Sequence, residues 1–319
     1  MSYRILSTRS IDRVEEAFDE ADVDVVEKQR YTASELVKLV GDAEGLFVHS
    51  ENNFNADLIR QASNLRAIAK PGSGIDNIDV SAATDAGVVV LHTPGMNAVA
   101  VSEFTVGAII AHYRDIPAAE DHLESGGWRS QAWWGTELRG KTVGLVGLGA
   151  TGFETAKRIA PFCEEILVHD PYVDDERIDA IGGSRRSKKA LLDDSDVVSL
   201  HVRLTPDTRG LIGKAELDAM DADALLVNTS RGAVVEEEPL IEAVENDSIR
   251  GAVLDVFHEE PPSPDHPLVD HPNVLATPHL AGATVETRTR MLNTTARNLV
   301  AVLAGESVDS EYVANPEVL

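Results

Sequence analysis

With 319 residues the chain exceeds the roughly 150 that one domain usually takes, so two domains with separate cores are expected and a peptide hormone or small binding module is excluded. Its 54 acidic and 28 basic residues give a net charge of −26, and only 8 of the basic residues are Lys, so a basic nucleic-acid-binding surface is not expected. A hydrophobic share of 43% with 26% charged residues is ordinary for a folded protein, which puts the acid on a surface rather than in a disordered chain.

The opening Met1-Ser2-Tyr3-Arg4-Ile5-Leu6 is charged too soon for a secretory signal, and no run approaches 18 apolar residues. A soluble, cytoplasmic protein without a membrane segment is the expectation. Short apolar runs follow at Tyr3 to Leu6, Gly45 to Val48, Leu65 to Ala69 and Val88 to Leu91, alternating with helical patterns such as Asp12 to Glu20. That alternation predicts a mostly parallel sheet flanked by helices. Asn97 to Tyr113 carries one apolar helical face through Ala98, Val101, Thr105, Ala108 and Ile109.

A second β/α alternation begins near Lys141, with strands expected at Thr142 to Val146, Glu165 to His169, Val197 to Leu200, Ala224 to Asn228 and Ile249 to Leu254. Two sheets imply two α/β domains. Glu259 to Pro264 reads as a rigid Pro-rich loop, and Thr284 to Leu303 as a second long helix. Both long helices are candidates to cross between domains, and if the last one returns to the first domain, the second is an insertion within it. The single cysteine, Cys163, is expected to pack a helix end rather than react, and Trp133-Trp134 to pack at a domain or dimer surface.

The sharpest local signal is Thr142 to Gly152, an apolar strand running into Gly147-Leu148-Gly149-Ala150-Thr151-Gly152 and then a helix. A second strand ends in Val168-His169-Asp170, with Asp170 eighteen residues after Gly152. This βαβ context is the dinucleotide-binding pattern. Gly147 permits the tight turn, Gly149 lets the backbone approach the pyrophosphate, and Gly152 lets helix meet strand. The helix start at Ala150 and Thr151 offers N–H groups and a positive dipole end to phosphates. Asp170 would accept from the ribose hydroxyls and repel a 2′-phosphate, which favours NAD over NADP. Flavin is the competing cofactor, although such motifs then usually lie near the chain start.

From Leu138-Arg139-Gly140-Lys141-Thr142 onward the chain resembles the D-isomer-specific 2-hydroxyacid dehydrogenase family. Asn228-Thr229-Ser230-Arg231-Gly232 resembles its arginine motif, Leu254-Asp255-Val256-Phe257-His258-Glu259-Glu260-Pro261 its glutamate motif, and Thr277-Pro278-His279-Leu280-Ala281-Gly282 its histidine motif. Upstream, Pro71-Gly72-Ser73-Gly74-Ile75-Asp76-Asn77-Ile78-Asp79 resembles the substrate loop, and Thr93-Pro94-Gly95-Met96-Asn97, followed by Glu103, the approach to the hinge helix. The resemblance implies a flavodoxin-like catalytic domain made of residues 1–97 and 285–319, a Rossmann NAD-binding domain of residues 98–284 inserted in it, and a homodimer. It further implies that substrate and nicotinamide meet in the cleft.

A 2-oxo acid presents a carboxylate and a carbonyl, so its reduction needs an anchoring cation, a proton donor at the carbonyl oxygen and a hydride over the carbon. On the resembling motifs, Arg231 grips the carboxylate and polarises the carbonyl. His279 is the acid in reduction and the base in oxidation, and Glu260 pairs with its other nitrogen. Backbone N–H groups of Ser73 and Gly74, with Lys70 just before them, complete the carboxylate pocket. The resemblance also places Asp255 near the nicotinamide carboxamide and Thr229 and His201 along the cofactor. His258, His266, His271 and His279 lack the spacing of metal sites, so no metal is expected.

Several positions depart from the family pattern. Ala150-Thr151 replace a common Arg-Ile, and Arg203 stands where proline is usual, beside the cofactor. The stretch from Asp255 to Thr284 looks especially like phosphoglycerate dehydrogenases, yet His49-Ser50-Glu51-Asn52 puts a glutamate where those enzymes tend to carry a phosphate-binding arginine. The chain ends at Leu319, so serine feedback through a regulatory domain is not expected. Hydroxypyruvate or glyoxylate is therefore preferred as the oxo acid, with 3-phosphoglycerate as runner-up, and an NAD-sensing corepressor is the alternative of another class.

A charge of −26 repels itself at low ionic strength, whereas at 1 M salt the screening length falls to about 3 Å. The expected native solvent is the salt-rich cytoplasm of a halophile, with an acidic mesophilic protein as the alternative. Urea unfolding followed by circular dichroism should show a higher midpoint in multi-molar than in low KCl; equal midpoints would refute the expectation.

Overall fold

The computed structural model describes residues 3–8, 18, 23–27, 33–48, 52–129 and 134–319. The chain divides into two units, one formed by Met1–Asn97 with Thr284–Leu319 and the other by Ala98–Ala283. Among the described residues no helix is long and apolar enough to cross a membrane.

The first unit is built on five parallel strands: β1 (Tyr3–Ser7), β2 (Val23–Glu27), β3 (Gly45–Phe47), β4 (Ala67–Ala69) and β5 (Val89–Leu91). Their order is β2-β1-β3-β4-β5, a doubly wound arrangement. Between them run α1 (Ala33–Val40), α2 (Ala56–Gln61) and α3 (Val80–Asp85). Successive residues of each strand serve opposite cores. Leu6, Leu46, Ile68 and Val90 face one cluster, while Ile5, Phe47, Ala67, Ala69, Val89 and Leu91 face the other. Burial on both faces explains why these strands read as continuous apolar runs.

The long helix after the second unit, α11 (Val285–Ala304), belongs to this first unit. It lays Leu292, Ala296, Leu299 and Leu303 on the second face of the sheet. Thr284 caps its start by accepting from Thr287 N, and Gly305 ends it in the left-handed conformation. The following segment returns to β5: His92 N donates to Tyr312 O and Ala314 N to Val90 O. β5 would otherwise be an open edge, and this tail covers it.

The second unit holds seven parallel strands in the order β12-β11-β10-β9-β6-β7-β8. They are β6 (Thr142–Val146), β7 (Glu165–His169), β8 (Ser184–Arg185), β9 (Val197–Leu200), β10 (Leu225–Asn228), β11 (Gly251–Leu254) and β12 (Val274–Ala276). α4 (Ala98–Tyr113) and α6 (Ala150–Ile159) cover one face through Val106, Ile109, Tyr113, Ala156 and Ile159. α8 (Lys188–Asp194) and α10 (Glu237–Glu245) cover the other through Leu191, Leu192, Leu240 and Val244. The remaining helices are α5 (Ile116–Glu124), α7 (Asp175–Asp179) and α9 (Lys214–Leu217).

Both sheets are parallel and doubly wound, as the β/α alternation implies. Three strands were not legible in the alternation: β2, β8 and β12. Several expected strands begin late, because Leu65, Val88, Ala224 and Ile249 are buried but precede the paired residues. The helical pattern Asp12 to Glu20, apart from Phe18, lies outside the described residues, as does Trp133. Trp134 is exposed. Cys163 lies just past α6, half-buried against that unit's core, and burial pushes its thiol up.

Asn315 fastens the terminal tail of the first unit. Only 1% exposed, it accepts from Val90 N at 2.8 Å and donates to Val88 O at 2.9 Å and Thr84 Oγ1 at 3.1 Å. Replacing it with Ala leaves a buried N–H and a buried carbonyl unpaired. Asn315→Ala should therefore cost about 2–4 kcal/mol in urea unfolding, well beyond a surface substitution.

Candidate active site

The glycine loop forms where β6 turns into α6. Gly147 has φ +95°, and a Cβ there would lie 2.7 Å from His201 O, so the turn requires glycine on both counts. A Cβ on Gly152 would lie 2.2 Å from Gly147 O, which fixes the close packing of helix start on loop. Gly149 differs: a Cβ there would meet nothing within 4 Å. The loop thus leaves an open cradle over Gly149, at the start of a helix that no side chain caps. Ala150 is exposed and Thr151 half-buried at that start. Open space, free helix N–H groups and a dipole end fit the phosphates of a dinucleotide.

Asp170, at the end of β7, faces this loop. Its Oδ2 accepts from Leu148 N at 2.7 Å and its Oδ1 from Tyr172 N at 2.9 Å. Each oxygen keeps a lone pair for a ribose hydroxyl while the carboxylate holds the glycine loop in place. His201 backs the loop from the end of β9, its Nε2 against Ser199 Oγ at 3.0 Å. Desolvation pushes its imidazole down to about 4, so it stands neutral behind the phosphate cradle. Thr229 Oγ1 lies 3.3 Å from Thr105 Oγ1 of α4, and Arg203 is exposed.

Arg231 follows β10 on a turn shaped by Asn228. The buried Asn228 amide accepts from Ser230 N and Oγ and donates to Arg231 O at 2.9 Å. Arg231 Nη1 in turn donates to Ser230 O. A Cβ on Gly232 would lie 2.1 Å from Phe257 C and O, so the arginine turn is seated directly on the segment after β11.

That segment carries Asp255, 1% exposed. Its Oδ1 accepts from Thr277 Oγ1 at 2.7 Å and Leu280 N at 2.8 Å, and its Oδ2 from Ala281 N at 2.8 Å. Its carbonyl accepts from His279 N. The loop Thr277 to Ala281 is wrapped around this carboxylate, and His279 is held at φ +52°, a conformation that costs a non-glycine residue about 1 kcal/mol or more. The family resemblance implied a place for Asp255 near the nicotinamide; its hold on the histidine loop was not foreseen.

Glu260 and His279 meet as expected: Oε2 lies 2.7 Å from Nδ1, with Oε1 accepting from Phe257 N at 3.1 Å. Burial alone would raise the Glu260 carboxyl, but the hydrogen bond and charge of His279, the Phe257 N–H and the charge of Arg231 outweigh it and bring it below the ordinary glutamate range. A depressed carboxylate keeps its charge through neutral pH and loses it only as pH falls through that lowered value, so the contact persists wherever the histidine would work. The bond to Nδ1 leaves Nε2 for chemistry.

In the first unit, the Lys70 ammonium is buried and donates to Asn77 Oδ1, while Asn77 Nδ2 donates to Asn52 O at 2.6 Å. Ser73 Oγ accepts from Gly95 N and lies 3.1 Å from Asn97 Oδ1, which shapes the turn ahead of Gly74. His49, Ser50 and Glu51 lie outside the described residues. The other three histidines have separate partners: His258 meets Val235 O, His266 meets Glu237, and His271 accepts from Asn273 N.

A glycine loop with a facing carboxylate, and an Arg, Glu and His gathered on the turns after β10, β11 and β12, describe an α/β oxidoreductase. The family model for the NAD binding domain of D-isomer specific 2-hydroxyacid dehydrogenases matches residues 106–281. The chain belongs to that family. It is 42% identical over 295 residues to a glyoxylate reductase of Thermofilum pendens, covering 89% of this chain and 85% of that one. It is 38% identical over 283 residues to a D-3-phosphoglycerate dehydrogenase of Archaeoglobus fulgidus, covering 89% of this chain and spanning only 54% of that longer protein. A glyoxylate reductase structure from Paecilomyes thermophila superposes with a TM-score of 0.89 at 28% identity, covering 99% of each chain.

Gly149 and Gly152 separate binding from folding. Gly149→Val should leave urea stability nearly unchanged and weaken NADH binding at least about tenfold, because the side chain fills the cradle. Gly152→Ala should lower stability, because its Cβ meets backbone.

Proposed function

We propose that the protein is an NAD-dependent D-2-hydroxyacid dehydrogenase that interconverts a small 2-oxo acid, such as hydroxypyruvate or glyoxylate, with its 2-hydroxy acid. The observation that carries this reading is the 2.7 Å Glu260–His279 contact under the charge of Arg231, in the unit that also holds the glycine loop. Gly147, Gly149, Ala150, Thr151, Gly152 and Asp170 would hold the dinucleotide, with Thr229 and His201 lining it. When bound, its nicotinamide supplies or accepts the hydride. A carboxylate at position 170 favours NAD over NADP.

Arg231 binds the substrate carboxylate and draws charge from the carbonyl. His279 donates the Nε2 proton to the carbonyl oxygen in reduction and removes it from the hydroxyl in oxidation. Glu260 fixes the tautomer by holding Nδ1, and Asp255 holds the turn that presents the ring. We assign the Ser73 and Gly74 backbone N–H groups and Lys70 to substrate binding from the resemblance of their loop, Pro71 to Asp79, to the family's substrate loop. The residue 285–319 helix and tail serve the substrate-binding unit with residues 1–97. We place the enzyme in a salt-rich cytoplasm, a reading that its net charge of −26 supports. Ile116, Leu123, Trp128 and Trp134 are exposed apolar residues on one segment of the second unit, which supports a homodimer.

The relative named D-3-phosphoglycerate dehydrogenase supports a second reading, with 3-phosphoglycerate as substrate. A panel of hydroxypyruvate, glyoxylate, pyruvate and phosphohydroxypyruvate with NADH in high KCl decides between them. Turnover of the unphosphorylated acids is expected, and activity confined to phosphohydroxypyruvate would reverse the preference. Arg231→Ala should raise KM for the oxo acid about a hundredfold, and His279→Ala should cut kcat by about a hundredfold or more while NADH affinity holds. Full turnover by His279→Ala at every pH would remove it as the acid.

A further inference from the structure

The glycine loop carries no cation of its own, since Ala150 and Thr151 open α6. A cation reaches it from elsewhere. Arg177, on the short α7 after the Asp170 turn, donates from Nε to Leu148 O at 2.8 Å and from Nη2 to Gly149 O at 3.3 Å. Its guanidinium is stacked 4.5 Å above the ring of Phe153, the fourth residue of α6. Asp174 caps α7 by accepting from Arg177 N, which fixes where the side chain starts. Leu148 is thus held at both polar groups, its N–H by Asp170 and its carbonyl by Arg177.

The charge of Arg177 is not spent on an acid. Arg158, Arg185 and Arg186 each pair with a carboxylate, whereas among the described residues no carboxylate lies within ion-pair distance of Arg177. Two carbonyls and an aromatic face orient the guanidinium without neutralising it, and they leave the Nη1 donors unused among the described residues. In a chain of net charge −26, a fixed and unneutralised cation beside the N-cap residue of the phosphate-binding helix has one evident use. We infer that Arg177 is a cofactor-binding residue that supplies the positive charge for the dinucleotide's pyrophosphate from a helix outside the glycine loop. The guanidinium adds to the helix dipole and loop N–H groups at the same place, and stacking on Phe153 reduces the entropy lost when it takes an anion.

The inference rests on the proposed NAD site, and its test keeps the two apart. Binding of NADH, ADP-ribose, NADPH and adenosine is measured by quenching of protein fluorescence or by competition with NADH, for wild type, Arg177→Gln and Arg177→Lys. The KCl range is one in which circular dichroism shows all three folded. Arg177→Gln should weaken NADH and ADP-ribose about tenfold alike and leave adenosine, which has no phosphate, within about twofold. Arg177→Lys should recover most of that loss. The decline of NADH affinity with rising KCl should be shallower in Arg177→Gln than in wild type.

An equal loss for adenosine would make Arg177 only a brace of the loop. A loss confined to NADPH would assign it to a 2′-phosphate, and undiminished NADH binding by Arg177→Gln would remove it from the site; each overturns the inference while leaving the NAD reading intact. A wild-type protein that binds none of the four overturns both.

Discussion

A buried carboxylate at the end of β11 holds the chemistry of the second unit together. Asp255 accepts three hydrogen bonds from Thr277, Leu280 and Ala281, and its carbonyl takes a fourth from His279 N. Its own N–H donates to Asn228 O, and Asn228 shapes the Arg231 turn. One buried Asp and one buried Asn at neighbouring strand ends therefore set the histidine loop and the arginine turn together. A buried carboxyl group with this many donors is fully hydrogen-bonded, and the same bonds make a left-handed histidine tolerable. Glu260 then needs only its bond from Phe257 N to meet the ring.

The same division of labour runs through the charges. An acidic surface repels anionic ligands at a distance, and salt screens that repulsion. Close up, the proposed ligands meet a few oriented cations and N–H groups. Arg231 is held by the carbonyl of Ser230, Lys70 by an amide oxygen, and Arg177 by two carbonyls. The two carbonyls that hold Arg177 aim its guanidinium without cancelling its charge. His201 behind the glycine loop is kept neutral by burial and adds no charge of its own.

The βαβ pattern around Gly147 to Gly152 and Asp170 was legible because its glycines answer local demands: a positive φ at Gly147 and a 2.2 Å approach at Gly152. The central strands were legible because burial on both faces leaves an unbroken apolar run. β2, β8 and β12 were not, and all three are sheet edges. An edge strand has a single partner and need not be apolar throughout; β8 is only Ser184-Arg185, and β2 carries Asp24 and Glu27. Arg177 left no signal either, because an exposed-helix arginine in an acid-rich stretch reads as surface until its guanidinium is seen over Phe153.

From the sequence came the two-sheet α/β class and the glycine loop with its facing acid, since these depend on residue type and short-range spacing, and the Arg231, Glu260 and His279 trio came through the resemblance of their motifs to a known family. Tertiary structure decided how they are held. The bonds from residues 277–281 to Asp255 span more than twenty positions, the bonds from Asn315 to β5 and its approach span more than two hundred, and Arg177 reaches Leu148 across twenty-nine. Such contacts are set by how parallel strands bring their carboxyl ends side by side, which no local pattern of residues records.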